Sequence, residues 1–428
     1  MKIAVIGSGI AGLSSAWCLA RQHEVVLFER DDRVGGHTNT IEVPLPGGGV
    51  QPVDTGWIVY NGKNYPNLTA LFAQLGVTTR PTGMSFAVSI GDGRYEWKGS
   101  DRIVTVFAQL SNLFRLSHLR MLIDLLRLNR RAKKILASGT LPTGSLGDWL
   151  AAEGYSEALK SRYLLPMAGL IWSCSPARAA EYPVDDFMRF FDSHSLFNTI
   201  DQPQWRVVVG GSHTYVKALL RDFGGEIRLQ TPVLGLRRVE GGVAVRTAAG
   251  TERYDQVICA AHADQALQLL EDAGADEQAI LGGIPYNASR CVLHTDDSFL
   301  PRRPLARGAW NYHHPVDAIH DEPISGSYWM NALQHIPGPV HYVVTLNPQR
   351  EIAADKVLYD IVYHHPHYGA DSVMTHRRLP EIQGRGGLWW AGAWTAYGFH
   401  EDGLKSGLRV VRGVDPASLP DWATELDG

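Results

Sequence analysis

The sequence predicts an α/β protein in which a parallel-sheet domain, assembled from three separated pieces, interleaves with a mixed α+β domain. Three observations predict it. The N-terminal residues read strand, glycine-rich turn, helix, strand. A fresh β-rich block opens at Ile227 after a long Leu-rich helical stretch. The chain then closes on a strand at 387–391 and a helix beginning near Asp402.

Residues 2–6 form a short buried strand, 11–21 carry a helical apolar pattern, and 24–29 form a second apolar strand. After Gly76 the texture changes. A hairpin-like stretch at 86–97 precedes a Leu-rich helical region at 103–136, and helical and loop segments run to about Trp205. The second β block comprises 227–229, 233–239, 243–247 and 254–259, and Pro-, His- and Trp-rich segments fill 284–380. This pattern assigns 1–80, 205–275 and 385–428 to a discontinuous nucleotide domain. It leaves 81–204 and 276–384 to a substrate domain.

A chain of 428 residues is long enough for two cores. Forty Lys plus Arg against 44 Asp plus Glu give a net charge of -4, which argues against a nucleic-acid partner. Cys18, Cys174, Cys259 and Cys291 are scattered without a C-x-x-C pair, so buried thiols are expected rather than disulfides or a metal site. The N-terminus enters a strand at once, leaving no room for a signal peptide, and a cytoplasmic location is expected. No run approaches the length of an apolar membrane span.

The segment KIAVIGSGIAGLSSA places Gly7, Gly9 and Gly12 in G-x-G-x-x-G spacing between strand and helix. Gly7 permits the tight turn, Gly9 lets backbone amides approach a pyrophosphate, and Gly12 lets helix pack on strand. The amides of Ile10 and Ala11 open that helix, whose positive end faces the phosphates. Glu29 ends the second strand, where a carboxylate accepts hydrogen bonds from an adenosine ribose. This is a Rossmann-like unit.

The run ERDDRVGGHTNT resembles the second glycine motif of the flavin amine oxidase and phytoene desaturase superfamily. Arg33, Gly35 and Gly36 match that motif, flanked by Arg30, His37 and Thr38. Arg33 is expected to neutralise a phosphate, and the Gly pair to admit a ribityl chain. Asp54, Thr55 and Gly56 look like the family's D-x-G segment near the flavin. VGGSH at 209–213 looks like its G-G-M segment, and TPV at 231–233 like the hairpin in which the Val233 backbone meets the adenine. LWWAGAWTAYGFHEDGLKSGLRVV resembles the closing flavin motif, with Gly392 and Ala393 at the strand end and Asp402, Gly403 and Leu404 at the ring. The resemblance implies FAD as cofactor and a glutathione-reductase-like FAD domain of the amine oxidase type. No cysteine lies in the closing motif, so the FAD is expected to be non-covalent.

A reduced flavin gathers negative charge around N1 and its C2 carbonyl, which a helix starting near Gly403 would stabilise. Gly403 and Gly407 suit close approach of that helix to the ring, and Asp402 is either a flavin contact or a simple N-cap. The resemblance makes Tyr397 an aromatic wall of the substrate cavity. His400 either polarises the flavin and shuttles a proton or is a hydrogen-bonded loop histidine. His37 either contacts the cofactor or bonds the neighbouring strand. Neither Lys98 nor Lys217 lies where many amine oxidases place a lysine, which counts against amine oxidation.

Between Arg102 and Lys134 eight basic residues face one acid, Asp124, a net of 8 − 1 = +7 among many leucines. Such a stretch is either an interfacial surface beside anionic lipid or a solvated basic face. Within the superfamily, GGHTNTIEV, VDTGWIVYNGKNYPNL and YGFHEDGLKSG look most like a bacterial subgroup of FAD oxidoreductases. Its genes neighbour cyclopropane-fatty-acid-synthase-type methyltransferases, and one member is a desaturase of furan fatty acid formation. The resemblance implies dehydrogenation of a lipid or modified acyl chain. An oxidase of an amine or other small molecule is the alternative, with a non-catalytic flavin-fold protein third. The sequence sets no oligomeric state.

Overall fold

Strand β1 (Lys2–Ile6) reads KIAVI and is buried on both faces, as the central strand of a parallel sheet must be. In the computed structural model, which describes residues 1–100, 102–198, 202–367 and 370–426, four strands flank it. They are β2 (Glu24–Phe28), β3 (Glu226–Arg228), β4 (Gln256–Cys259) and β5 (Leu388–Trp390). The order is β3-β2-β1-β4-β5 and every pair is parallel. Strands from three distant stretches of chain therefore build one sheet. On one face, α1 (Ile10–Leu19) packs beside the last long helix. The opposite face carries the antiparallel hairpins 235–239, 242–247 and 250–254.

The expected strand at 254–259 divides. Tyr254 closes the preceding hairpin, and the amide of Asp255 bonds the Lys2 carbonyl before β4 begins. The helical region at 103–136 also breaks, into a turn at Ile103–Val106, a 3-10 turn at Leu110–Phe114 and a long helix, Leu116–Ser138. The cause lies at the edge of the strand Tyr95–Gly99. Gln109 accepts from the Glu96 amide, and Asn112 donates to the Glu96 carbonyl. The chain between the helices is drawn off the helical path to satisfy an open sheet edge.

The segment 284–380 contributes five strands of a seven-stranded sheet. Their order is 357–366, 286–294, 343–346, 326–329, 310–314, 86–90, 95–99. Two strands come from the first insertion and five from the second, joined by the parallel pair Trp310↔Phe86. Rich in His, Trp and Pro, these strands conceal their alternation at sequence level. In Val357–Pro366, however, Tyr359, Ile361, Tyr363 and His365 share one face by the period of two. That face meets the dinucleotide domain.

Candidate active site

The site begins at the start of α1. A Cβ on Gly12 would collide with the Gly7 carbonyl, whereas no described atom lies within 4 Å of a Cβ placed on Gly9. Gly12 thus closes helix onto strand, and Gly9 faces open space. Helix α1 has no side-chain cap and no acid in its first turn, leaving its amides free for an anion. Gly36, at φ +55°, brings the second glycine loop within 3.0 Å of the Gly9 Cα as a Cβ would measure it.

Glu29 lies at the end of β2 and accepts from the Ser8 amide (3.0 Å), the Ser8 hydroxyl (2.5 Å) and the Asp31 amide (3.0 Å). The Ser8 carbonyl in turn accepts from the Gly35 amide (3.0 Å), so the acid and both glycine loops form one unit. Arg33 has a structural part in this loop. Its two Nη atoms donate to the carbonyls of Thr38 (3.2 Å) and Gly36 (2.9 Å), bracing the loop. Arg30 is exposed beside Asp31 and lines a surface groove with Gln230 and Tyr359. The amide of Thr231 bonds the Glu29 carbonyl (2.9 Å), bringing the Val233 hairpin to the same edge.

The next shell ties the domains together. His37 Nε2 stands 2.9 Å from His365 Nε2, and its ring lies against Tyr363. One imidazole donates and the other accepts, and burial, which lowers the pKa of both, favours the neutral form of each. Burial and the neighbouring His365 hold His37 well below the ordinary histidine range. Thr55 shares a hydrogen bond with the Tyr363 hydroxyl (3.0 Å), and a Cβ on Gly56 would strike the His37 carbonyl. Asp54 is enclosed by protein donors. Its carboxylate accepts from Thr40 (2.5 Å), the Ser212 amide (2.8 Å) and hydroxyl (2.7 Å), and Gln334 (2.9 Å). Burial nevertheless lifts its pKa to about 6.

The last long helix, here α2 (His400–Val414), starts two residues earlier than the expected Asp402. Asp402 is therefore not the N-cap. It occupies the third helical position, and its carboxylate reaches back to accept from the Phe399 amide (3.0 Å), half of a capping box. Burial raises its pKa to about 6. The helix glycines also meet protein closely. A Cβ on Gly403 would meet Ile10 Cγ2 at 2.7 Å, and one on Gly407 would meet the Ala11 carbonyl at 2.5 Å. These glycines fit α2 against α1, and the two positive helix ends lie side by side. The Leu404 side chain belongs to the core. The Gly392 amide donates to Ser406 (2.8 Å), joining the end of β5 to the same helix, with Ala393 following it.

His400 opens α2. Its Nε2 lies 2.7 Å from the Tyr215 hydroxyl, which shares a 2.5 Å hydrogen bond with Thr38, and its ring stacks on Trp57 at 4.3 Å. Burial lowers its pKa to about 3, so the imidazole is neutral. The neighbouring Glu401 accepts from the Asn67 amide (2.9 Å) and side chain (2.8 Å) and from the Leu68 amide (2.9 Å). It thereby caps the helix Pro66–Leu75, which has no acid in its own first turn. Tyr397 is partly exposed, its ring 5.8 Å from Phe190, and Phe190 stacks on both His194 and Phe399.

Tyr215, Trp57, His365, Tyr363 and Glu401 were not legible as site residues. Only Trp57 carried a signal, following the D-x-G segment directly. Lys98 donates to the Arg307 carbonyl, and Lys217 pairs with Glu42 at the surface. Among the described residues one group, His314, His320 and Glu322, brings three ligand atoms within 4.8 Å of one another, in and beyond the strand Trp310–His314. All four cysteines are free buried thiols.

The site fits a dinucleotide with a polar ring system. Gly9 offers a cradle that any Cβ would fill, and buried nitrogens of Trp57, His262 and His365 have no hydrogen-bond partner among the described residues. Fold and site together define a Rossmann-type flavoprotein. The chain belongs to the flavin-containing amine oxidoreductase family, whose model matches residues 10–361. Its cofactor is FAD. The chain is 30% identical over 277 residues to a Mycobacterium tuberculosis protein carrying the name flavin-containing monoamine oxidase AofH. That match covers 61% of this chain and 56% of the relative, so the chain spans little more than half of the relative's length. A putrescine oxidase variant superposes with a TM-score of 0.68 at 14% identity, over 96% of this chain and 98% of the other. A fatty acid isomerase of P. acnes that produces CLA gives 0.67 at 15% identity, over 96% and 98%. These two likenesses establish the fold alone.

Proposed function

We propose that this protein is an FAD-dependent oxidoreductase that dehydrogenates a lipid, a fatty-acyl chain of the modified kind made by cyclopropane-type methyltransferases. The observation that carries the reading is the aromatic character of the side chains around the start of α2. Trp57, Phe190, Tyr397 and Phe399 stand there with His194 and His400, whose enclosure lowers their pKa values to about 4 and about 3. Such a wall suits an apolar chain, and the two carboxylates of the first turn are turned to protein donors, Glu401 to Asn67 and Leu68 and Asp402 to the Phe399 amide. FAD supplies the two-electron acceptor for a hydride when bound. The protein contributes orientation, which is worth several powers of ten in rate when reacting atoms are held in contact. It also contributes amides at the start of α2 for developing negative charge, and a Tyr215–His400 pair that holds a proton between oxygen and nitrogen.

The identity with AofH favours a second reading, oxidation of an amine. One experiment separates the two. The holoprotein is mixed anaerobically with phospholipids bearing cyclopropane or methyl-branched acyl chains, or with primary amines, and flavin absorbance is followed. Bleaching by the lipids, with a product two mass units lighter, supports the proposal. Bleaching by amines alone replaces it with the second reading.

A further inference from the structure

We infer that the face formed by residues 103–134 docks onto an anionic phospholipid surface. The proposal is independent of the substrate reading, since it concerns where the protein sits.

Isolated exposed apolar side chains are ordinary, but a contiguous patch of them is not. Here Ile103, Val104, Leu110, Leu113, Phe114, Leu116, Ile123 and Leu126 are all exposed within one stretch, Phe114 at 86% and Leu116 at 82%. The 3-10 turn Leu110–Phe114 and the start of the helix Leu116–Ser138 lift the largest of them clear of the body. No described helix is long and apolar enough to cross a membrane, so contact at one surface is the mode this stretch allows.

The charges around the patch select the partner. Asp124, the one acid of this stretch, is fully buried, with Arg120 at 3.0 Å and Arg127 at 3.6 Å. The helix surface is thereby left with cations. Arg131 pairs with Glu153, and Arg127 lies over Tyr155, but Arg130, Lys133 and Lys134 are exposed without an acidic partner among the described residues. A shallow depression is lined by Ile123, Leu126 and the stems of Arg127, Arg130, Arg131 and Lys134. Aliphatic stems around an apolar floor, with charged tips above, match phosphate headgroups over acyl carbon. A second copy of this chain would oppose the same cations to themselves and fits poorly. Beneath the face, Leu122, Leu125 and Leu136 pack onto an apolar cluster that extends without interruption to Phe190 and Phe399.

The test is flotation of the holoprotein with vesicles of phosphatidylcholine, alone or mixed with phosphatidylglycerol, at low and at physiological salt. Binding is expected to the mixed vesicles only, weakening with salt as screening predicts. A Phe114→Ser, Leu116→Ser double variant should lose about tenfold in binding while keeping its flavin spectrum and melting temperature. An Arg130→Glu, Lys133→Glu, Lys134→Glu variant should lose the salt-sensitive component. Failure of the wild type to bind anionic vesicles at low salt overturns the inference. So does undiminished binding by the double variant, or a dimer in solution that this variant dissociates without any vesicle binding.

Discussion

The Nε2 atom of His400 lies 2.7 Å from the hydroxyl of Tyr215, and through it a nitrogen at the start of the closing helix is connected to Thr38 in the second glycine loop. Two motifs separated by most of the chain share one hydrogen-bonded line. His400→Ala is expected to retain FAD, because the glycine loops and Glu29 are untouched, yet to slow flavin reduction about 10–100-fold. Tyr215→Phe should slow it less, since Trp57 still stacks on the ring. Stopped-flow bleaching measures both, and an unchanged rate in His400→Ala would remove the residue from the mechanism.

Gly9 and Gly12 should fail in opposite ways. Gly9→Ala adds a methyl to open space at a φ of -64°, which alanine adopts freely, so the apoprotein should melt as wild type does. Its FAD occupancy should fall, since the methyl fills the pyrophosphate cradle. Gly12→Ala drives a Cβ into the Gly7 carbonyl and should lower the melting temperature of the apoprotein itself. Calorimetry of the apoproteins, together with flavin absorbance after reconstitution, distinguishes the two.

Glu401→Ala is expected to cost about 2–3 kcal/mol. It leaves the amides of Asn67 and Leu68 buried without an acceptor, and unsatisfied buried donors cost about 1–3 kcal/mol each before any local relaxation. Urea denaturation measures the loss; a change below about 0.5 kcal/mol would show that water replaces the carboxylate.

Acid should unfold the protein early. His118, His194, His262, His294, His313 and His365 have pKa values lowered to about 4, and His400 to about 3, each from 6.5 and each chiefly by burial. The unfolded chain binds these protons first. Stability present above pH 6.5 is therefore lost as pH falls toward 4. Asp54 and Asp402, raised to about 6 from 3.8, act in the opposite sense over the same window. The histidines outnumber them, and each uncompensated group is worth roughly 1.4 kcal/mol per pH unit against a total stability of about 5–15 kcal/mol. The melting temperature should decline steadily below pH 6.5. A maximum near pH 5 in a circular-dichroism melting series would contradict this.

The dinucleotide half was largely legible because its determinants are local. A buried apolar run, three glycines at fixed spacing and a terminal acid declare β1, α1 and β2 within a few dozen residues. The closing helix was legible as an element but not in its details. Whether Asp402 caps its helix from outside or from its third position depends on where Phe399 leaves the helical path. The partners of Gly403 and Gly407 lie nearly four hundred residues away in α1. The seven-stranded sheet was hidden because its two halves come from separate insertions, and aromatic and histidine residues occupy both faces of its strands.

Taken alone, the sequence determined the cofactor. Phosphate binding by a helix end needs only backbone amides and missing side chains, and the spacing of Gly7, Gly9 and Gly12 records both. Only the tertiary structure decided which side chains surround the reacting end. His37 meets His365, His400 meets Tyr215 and Glu401 meets Asn67 across separations of hundreds of residues in two of the three cases. Side-chain identity carries no record of a distant neighbour; tertiary packing creates it, between the two domains for His37 and His365 and within the discontinuous dinucleotide domain for the other two pairs.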